Sequence, residues 1–217
     1  MSRALEPQLR AGLQTLDLAL DEAQIAALLD YVDLIQKWTR VYNLTAVRDP
    51  QDMLTHHLLD SLAVVRPLRQ QLAALGRDES VRVLDVGAGA GLPGVVLAIC
   101  CPTMTVHCVD TVAKKAAFVQ QAAVSLKLPR LRGIHARVES LTEPYDVVCS
   151  RAFASLADFT QWSIGALAPL GVWMAMKGKH PAAELLALDP GVQVFHVEPL
   201  QVPGLDAERC LVWMRRA

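Results

Sequence analysis

The segment from Val83 to Gly94 restricts the possible folds of this chain more than any other feature. It reads VLDVGAGAGLPG, a short apolar run followed by three alternating glycines and then by the start of a helix near Pro93. Glycine lets a backbone turn tightly and approach a ligand closely, and the first turn of a helix presents free N–H groups. The segment therefore predicts a strand, a ligand-binding turn and a helix, in that order.

From residue 81 onward, short runs rich in β-branched residues alternate with helical patterns at about 93–101, 113–126 and 156–167. This alternation predicts an α/β fold, with a mostly parallel sheet of seven strands and helices on both faces. The last two strands are joined by a turn-rich stretch, so we expect an antiparallel hairpin at one edge. The predicted strands are 81–86, 105–109, 134–138, 145–149, 172–176, 192–197 and 210–214.

The first eighty residues contain helical patterns and no strand pattern. Asp21 and Gln24 have the spacing of a capping box, and Asp49-Pro50 starts a second helix whose apolar stripe ends at Pro67. No low-complexity linker separates this part from the strands. We therefore predict an N-terminal helical extension, residues 1–79, packed on a ligand-binding domain of residues 80–217.

The composition excludes several classes of protein. With 217 residues, 53% of them hydrophobic and 20% charged, the chain can bury one sizeable core and is unlike a disordered protein. The five cysteines form no C-x-x-C pair and the six histidines no H-x-x-x-H pair, which predicts reduced core thiols and no metal site. The N-terminus has no signal-peptide core, and no apolar run is long enough to span a bilayer. We expect a cytoplasmic protein without a membrane partner.

The charge gives no general indication of a polyanionic partner. The net charge is −1, residues 1–80 carry 8 Lys and Arg against 11 Asp and Glu, and residues 81–217 carry 13 against 11. If a nucleic acid is the partner, the positive charge that meets it must be local.

The glycine turn fits two kinds of cofactor. Gly89 to Gly94 matches the G-x-G-x-x-G pattern of dinucleotide-binding proteins, and Asp110, 21 residues after Gly89, can hold ribose hydroxyls in either case. The glycines begin earlier, however, at Gly87, and Asp85 precedes them, as in methyltransferases that bind S-adenosylmethionine. A carboxylate at Asp85 would attract a cationic amino-acid group and repel a pyrophosphate, or it would cap the following helix. These features favour S-adenosylmethionine.

Several short segments occur together, in this order and with similar gaps, in one bacterial enzyme family. They are 38–47 (WTRVYNLTAV), 57–61 (HLLDS), 85–94 (DVGAGAGLPG), Asp110, Lys114-Lys115, 137–139 (RVE), 150–154 (SRAFA) and 177–178 (KG). From about residue 24 to its end, the chain resembles the 16S rRNA (guanine-527-N7)-methyltransferases, also called glucose-inhibited division protein B. Residues 111–113 (TVA) and His56 depart from the family pattern, which weakens any inference about contacts at those positions.

The resemblance implies a Rossmann-like class I methyltransferase that uses S-adenosylmethionine, releases S-adenosylhomocysteine and modifies 16S rRNA in the 30S subunit. It matches Arg151 to an arginine that lies at the cofactor and faces the target base. Together with the glycine turn, it predicts a cofactor site made of Asp85, Gly87, Gly89, Gly91, Leu92, Asp110, Val138, Glu139 and Arg151.

The chemistry of guanine N7 restricts the catalytic residues. N7 has an in-plane lone pair and no proton to lose, so methylation requires positioning and no general base. Arg151 is predicted to donate to O6 and leave N7 free, or else to form a structural ion pair. Asn43 and His57 are further catalytic candidates from the helical half, although His57 on an apolar stripe also suits a packing role. Lys177 and Lys179 are candidates for RNA phosphate contacts or for a solvated charge run.

Two alternatives from other functional classes stay open. A small-molecule methyltransferase on the same fold would suit the near-neutral charge. A protein that binds the cofactor and an assembly partner without catalysis would keep the glycine turn. In each case we expect a monomer.

Overall fold

Seven strands form one sheet in the computed structural model, which describes residues 2–77 and 80–217. Their order across the sheet is β3-β2-β1-β4-β5-β7-β6. Strands β1 to β5 are parallel, whereas β7 is antiparallel to both β5 and β6. This confirms the predicted α/β fold and its antiparallel edge. The strands are β1 (Arg82–Val86), β2 (Thr105–Asp110), β3 (Leu131–His135), β4 (Tyr145–Arg151), β5 (Leu167–Lys177), β6 (Val192–Pro199) and β7 (Cys210–Arg216).

The central strands are buried on both faces because helices cover both sides of the sheet. In β1, Val83 packs into one apolar cluster, while its neighbours Leu84 and Val86 pack into the other. The helices are α1 (Glu6–Thr15), α2 (Glu22–Tyr42), α3 (Pro50–Met53), α4 (Asp60–Leu62), α5 (Val65–Ala74), α6 (Gly94–Cys100), α7 (Ala113–Ser125), α8 (Leu156–Ser163) and α9 (Ala182–Leu186). A π-helical stretch, Leu54–Leu59, joins α3 to α4.

Local capping explains where the N-terminal helices begin. The Asp21 side chain accepts the N–H of Gln24, whose side chain accepts the N–H of Asp21, so the predicted capping box is present. Asp49 caps α3 by accepting the N–H groups of Gln51 and Asp52.

Helix α2 attaches the N-terminal helices to the sheet. Its buried Leu28, Leu29 and Val32 share one apolar cluster with residues of α6 and α7. The predicted division into residues 1–79 and 80–217 stays a prediction. Met1, Asp78 and Glu79, which this division includes, lie outside the described residues.

Predicted boundaries are wrong at three places, one of them the fifth strand, which was expected at 172–176 but spans Leu167–Lys177. The third strand was expected at 134–138, but β3 spans Leu131–His135 because Leu131 pairs with Val106 of β2. Gly133, a residue type that is depleted in strands, obscures the start of this strand in the sequence. The helix beginning at Asp49-Pro50 was expected to end at Pro67, but it ends at Leu62, and Pro67 lies in the first turn of α5. A proline is tolerated there because its missing N–H would have no partner within the helix.

Candidate functional site

The glycine turn between β1 and α6 has a left-handed backbone at each of its first three glycines. Gly87, Gly89 and Gly91 have φ angles of 66°, 58° and 82°. A Cβ atom at Gly87 would lie 2.3 Å from the ring of Phe153, and one at Gly91 would lie 2.4 Å from Val95. Only glycine fits these two positions, so the turn presents backbone rather than side chains.

Asp110 holds the glycine turn from the end of β2. Its Oδ2 accepts the N–H of Gly89 at 3.0 Å, and its Oδ1 accepts the N–H of Val112 at 2.9 Å. Lys115 Nζ lies 3.8 Å from Oδ2. The carboxylate is thereby fixed beside the turn, at the edge of the sheet where a ribose-binding acid was predicted.

Asp85 lies behind the turn and is fully buried. Its Oδ2 accepts the N–H of Gly94 at 2.8 Å, at the start of α6, while Oδ1 has no hydrogen-bond partner. Burial raises the pKa of Asp85 to about 7. This geometry matches the helix-capping interpretation of Asp85 rather than direct contact with a ligand.

The N-terminal helices support the turn through a residue that sequence reasoning missed. The buried hydroxyl of Tyr31 in α2 donates to the carbonyl oxygens of Ala90 and Gly91. Side chains of Gln24 and Arg69 donate to the carbonyl oxygen of Cys100 at the end of α6. The helical extension therefore fixes both ends of the segment that follows β1.

Two cavities meet at Gly87 and Ala152. We name each after one carboxylate in its wall. The Asp110 cavity, about 380 Å³, is also lined by Val112, Val138, Glu139, Phe153 and Trp162. The Asp60 cavity, about 560 Å³, is also lined by Gly89, Leu92, His56, His57, Arg151 and Arg209. The predicted residues Asp85 and Gly91 line neither cavity.

A buried carboxylate organises the Asp60 cavity. Asp60 is 2% exposed, and its Oδ2 accepts a hydrogen bond from Arg151 Nη1 at 2.8 Å. Its Oδ1 accepts one from Arg209 Nε at 2.9 Å. Three distant parts of the chain, the start of α4, the end of β4 and the residue before β7, thus meet around one negative charge. Sequence reasoning gave no role to Asp60 or Arg209, because no local pattern links them.

Arg151 combines the two roles that its position in the sequence allowed. Nη1 is held by Asp60 and by the carbonyl oxygen of His56 at 2.9 Å, as a structural ion pair requires. Its side chain also lines the cavity, and its Nε and Nη2 have no acceptor among the described residues. These N–H groups are therefore available to a ligand.

The π-helical stretch places His57 at the Asp60 cavity. His57 Nε2 lies 2.8 Å from Thr45 Oγ1, and its Nδ1 is buried without a hydrogen-bond partner. Burial, together with the positive charge of Arg151, lowers the pKa of His57 to about 4. The imidazole is therefore neutral at pH 7, which suits packing or hydrogen bonding but not electrostatic attraction of a phosphate.

Asn43, a predicted catalytic residue, lies outside the lining of both cavities. It is the exposed C-cap of α2, with a φ of 50°, and its Oδ1 accepts a hydrogen bond from Arg48 at 2.6 Å. Asparagine tolerates this left-handed conformation better than most residues, so its place in the sequence has a structural cause. The neighbouring Leu44 and Thr45 line the Asp60 cavity instead.

The two lysines proposed for RNA contact differ. Lys177 lines the Asp60 cavity, but its Nζ donates to the carbonyl oxygen of Ala154 and to Glu184, each at 2.8 Å. This pairing makes Lys177 a support for the loop after β4. Lys179 is exposed and lies outside the lining of the Asp60 cavity.

All five cysteines are free and buried, which confirms their prediction as core thiols. Among residues 2–77 and 80–217, no group of three or more His, Cys, Asp or Glu side chains is arranged to hold a metal ion. Within the same residues, every helix is too short or too polar to cross a membrane.

Comparisons with known proteins show a family model and close relatives that match most of this chain. The model of the family described as rRNA small subunit methyltransferase G matches residues 24–212. Relatives with that name from Polaromonas sp. (strain JS666) and Acidovorax sp. (strain JS42) are 69% and 65% identical, each over 98% of this chain. The matches cover 94% and 96% of those relatives.

Solved structures share the fold at low identity. The magnesium protoporphyrin IX methyltransferase of Synechocystis PCC 6803 has a TM-score of 0.57 at 19% identity, over 91% of this chain and 98% of that one. TrmN from Thermus thermophilus has a TM-score of 0.57 at 20% identity, over 71% of this chain and 48% of that one.

The sheet order, the glycine turn and these structural neighbours define a Rossmann-like α/β fold. Among proteins with this fold, the chain belongs to the rRNA small subunit methyltransferase G family. The family resemblance seen in the sequence is therefore confirmed.

Proposed function

We propose that this protein transfers a methyl group from S-adenosylmethionine to N7 of guanine 527 in 16S rRNA, acting on the 30S subunit as a cytoplasmic monomer. Family membership supports an rRNA substrate, because the relatives carry the name rRNA small subunit methyltransferase G. The observation that carries the proposal is the Asp60 cavity, where two arginines held by one buried carboxylate face the glycine turn.

The residues present fit S-adenosylmethionine. Gly87 lines both cavities and has no side chain, so its backbone is accessible to the ligand. Asp110 would accept hydrogen bonds from the ribose hydroxyls, and Val138 and Glu139 line the side of the same cavity expected for adenine. When bound, S-adenosylmethionine supplies a sulfonium methyl group and is released as S-adenosylhomocysteine.

The junction of the two cavities at Gly87 and Ala152 is where the methyl group and the base would meet. Arg151 has Nε and Nη2 available at this junction, and the Hoogsteen edge of guanine presents the acceptors O6 and N7. Donation to O6 fixes the ring and leaves the N7 lone pair free. Donation to N7 would occupy that lone pair and prevent methylation.

The chain needs no base at this site, because N7 has no proton to lose. His57 is neutral at pH 7, since its pKa is lowered to about 4, and it adds no charge beside the purine as the purine becomes positive. Arg151 and Arg209 would repel that developing charge, and the single negative charge of Asp60 offsets one of the two positive charges. The arrangement is consistent with catalysis by positioning and electrostatics.

One observation favours a small-molecule substrate instead. The net charge is −1, and Lys177, one of the cations at the cavity, is already paired with Glu184. A metabolite would need less positive surface than an rRNA does.

A single assay distinguishes these functions. Tritiated S-adenosylmethionine is offered with 30S subunits, with free 16S rRNA and with a metabolite extract. We expect label in the subunits or the free rRNA, and chain cleavage at guanine 527 after borohydride and aniline treatment, which reports N7 methylation. Label in the metabolites alone would favour the small-molecule alternative. Cofactor binding without label in any arm would favour the non-catalytic one.

A further inference from the structure

A third cavity adjoins the Asp60 cavity. It has a volume of about 390 Å³ and shares Gly178 and Arg209 with the Asp60 cavity. We name it the His180 cavity; its other lining residues are His180, Val197, Pro199, Leu200, Glu208 and Cys210. A polymer that enters the Asp60 cavity past Arg209 therefore meets a second recess directly beside the first.

The walls of the His180 cavity suit a flat, partly polar ring. Val197, Pro199 and Leu200 form an apolar surface, and His180 adds an aromatic ring. Nucleobases stack on surfaces of this kind whatever their identity. The exposed Glu208 carboxylate has no hydrogen-bond partner among the described residues, so it is available to accept a hydrogen bond from the amino group of a base.

Arg209 is fixed between the two cavities. Its Nε donates to Asp60 and its Nη1 to the carbonyl oxygen of Glu208, each at 2.9 Å. Nη2 has no protein acceptor among the described residues. A guanidinium fixed on one side and free on the other is suited to a phosphate oxygen, and here it would meet the linkage between two successive nucleotides.

We propose that the His180 cavity binds an unstacked nucleobase next to the target guanine, while Arg209 holds the phosphate that joins the two nucleotides. This inference rests on the proposed function, because it requires an RNA substrate. Sequence-specific RNA recognition commonly uses unpaired bases that are splayed out and stacked on side chains. The Glu208 carboxylate selects a base that presents an amino group, and Leu200 and His180 provide stacking surface.

Steady-state kinetics with 30S subunits tests the proposal. His180→Ala removes one stacking surface, and Glu208→Gln replaces the charged carboxylate acceptor by a weaker, neutral amide, without altering the Asp60 cluster. Each is expected to raise KM for the subunit, by roughly 5- to 100-fold for the lost stacking surface. S-adenosylmethionine affinity and the melting temperature should stay at the parental values. His196→Ala and Asp206→Asn, exposed residues outside the cavity lining, are the matched controls.

A crosslinking experiment provides a direct readout. Unmodified 30S subunits are irradiated with short-wavelength ultraviolet light in the presence of parental enzyme, and the crosslinked peptides are sequenced. We expect crosslinks at residues 178–180 or 197–200, and their loss in His180→Ala. Variants that match the controls in KM, together with no crosslink in these segments, would overturn the inference while leaving methylation intact. Absence of methylation by the parental enzyme would instead refute the proposed function.

Discussion

The two main cavities are formed by different kinds of groups, backbone in one and charged side chains in the other. Part of the wall of the Asp110 cavity is the backbone of the glycine turn, which is held by one acid, Asp110, 21 positions after Gly89. The Asp60 cavity depends on the charged side chains of Asp60, Arg151 and Arg209. The two arginines lie 91 and 149 residues after Asp60 in the sequence. A site made of backbone fails when a side chain intrudes, whereas a site made of converging charges fails when one charge is removed.

The largest effect is expected from intrusion at Gly87. Gly87→Val should abolish S-adenosylmethionine binding, because the new Cβ atom would lie 2.3 Å from the Phe153 ring on a backbone with a φ of 66°. Calorimetry measures the loss. Gly76→Val is the matched control, since Gly76 has the same φ but open space around it. Equal affinities in Gly87→Val and the parental protein would show that the turn does not touch the cofactor, and NADH binding would favour a dinucleotide site.

Removing the charge of Asp60 should disrupt the Asp60 cavity and thereby reduce methyl transfer. Asp60→Asn keeps the shape of the side chain but no longer offsets one of the two arginine charges, and the arginines then shift. We expect methyl transfer to 30S subunits to fall by up to about 10²-fold, the scale of a misplacement of about 1 Å. Calorimetry should show nearly unchanged cofactor affinity. A matched fall in cofactor affinity would mean that the two cavities are not separable.

A smaller effect is expected from Asp110→Ala. Loss of a charged hydrogen-bond acceptor should weaken S-adenosylmethionine binding by about 1–3 kcal/mol, since the ribose contact and the anchor of Gly89 are both lost. The exposed Asp206→Ala serves as the calorimetric control. An affinity equal to that of the control would exclude Asp110 as the ribose-binding acid.

The smallest expected effects are on the pH dependence of folding stability. They arise from one buried residue in each half of the chain, Asp85 and His57. Asp85 binds a proton in the folded protein up to a pKa of about 7, so its contribution to stability is lost as the pH rises from about 4 to about 7. His57 acts in the opposite direction. Its folded pKa of about 4 lies below the unfolded value of 6.5, so stability is lost as the pH falls through that window.

Urea unfolding between pH 4.5 and 6.5 separates the two contributions. The free energy of unfolding should rise more steeply with pH in Asp85→Asn than in the parental protein, and less steeply in His57→Gln. Parallel curves for all three proteins would mean that neither group is perturbed as its burial indicates.

The same contrast explains what the sequence could predict. The glycine turn and Asp110 follow from spacing within one βαβ unit, so their structural roles were predictable. Asp85 was interpreted less well, because a carboxylate before a turn serves a ligand or a helix with the same sequence pattern. Asp60 and Arg209 meet only through the folded sheet, and Tyr31 reaches the turn from another helix, so no local pattern identifies them. Asn43 shows the converse, since a polar residue in a family-like segment proved to be a helix cap.

The central claim is that cofactor binding and methyl transfer depend on separate cavities. Its most direct test is Arg151→Ala, with S-adenosylmethionine affinity and methyl transfer to 30S subunits measured on the same preparation. Methyl transfer should fall by roughly 10²-fold or more, because the base loses its donor to O6, while the fold and at least part of the cofactor binding persist. Arg151→Lys should not restore activity, since an ammonium group lacks the planar fork of the guanidinium. Arg132→Ala, at an exposed arginine on β3, is the control. Transfer at the parental rate by Arg151→Ala would contradict the account and reduce Arg151 to a structural partner of Asp60.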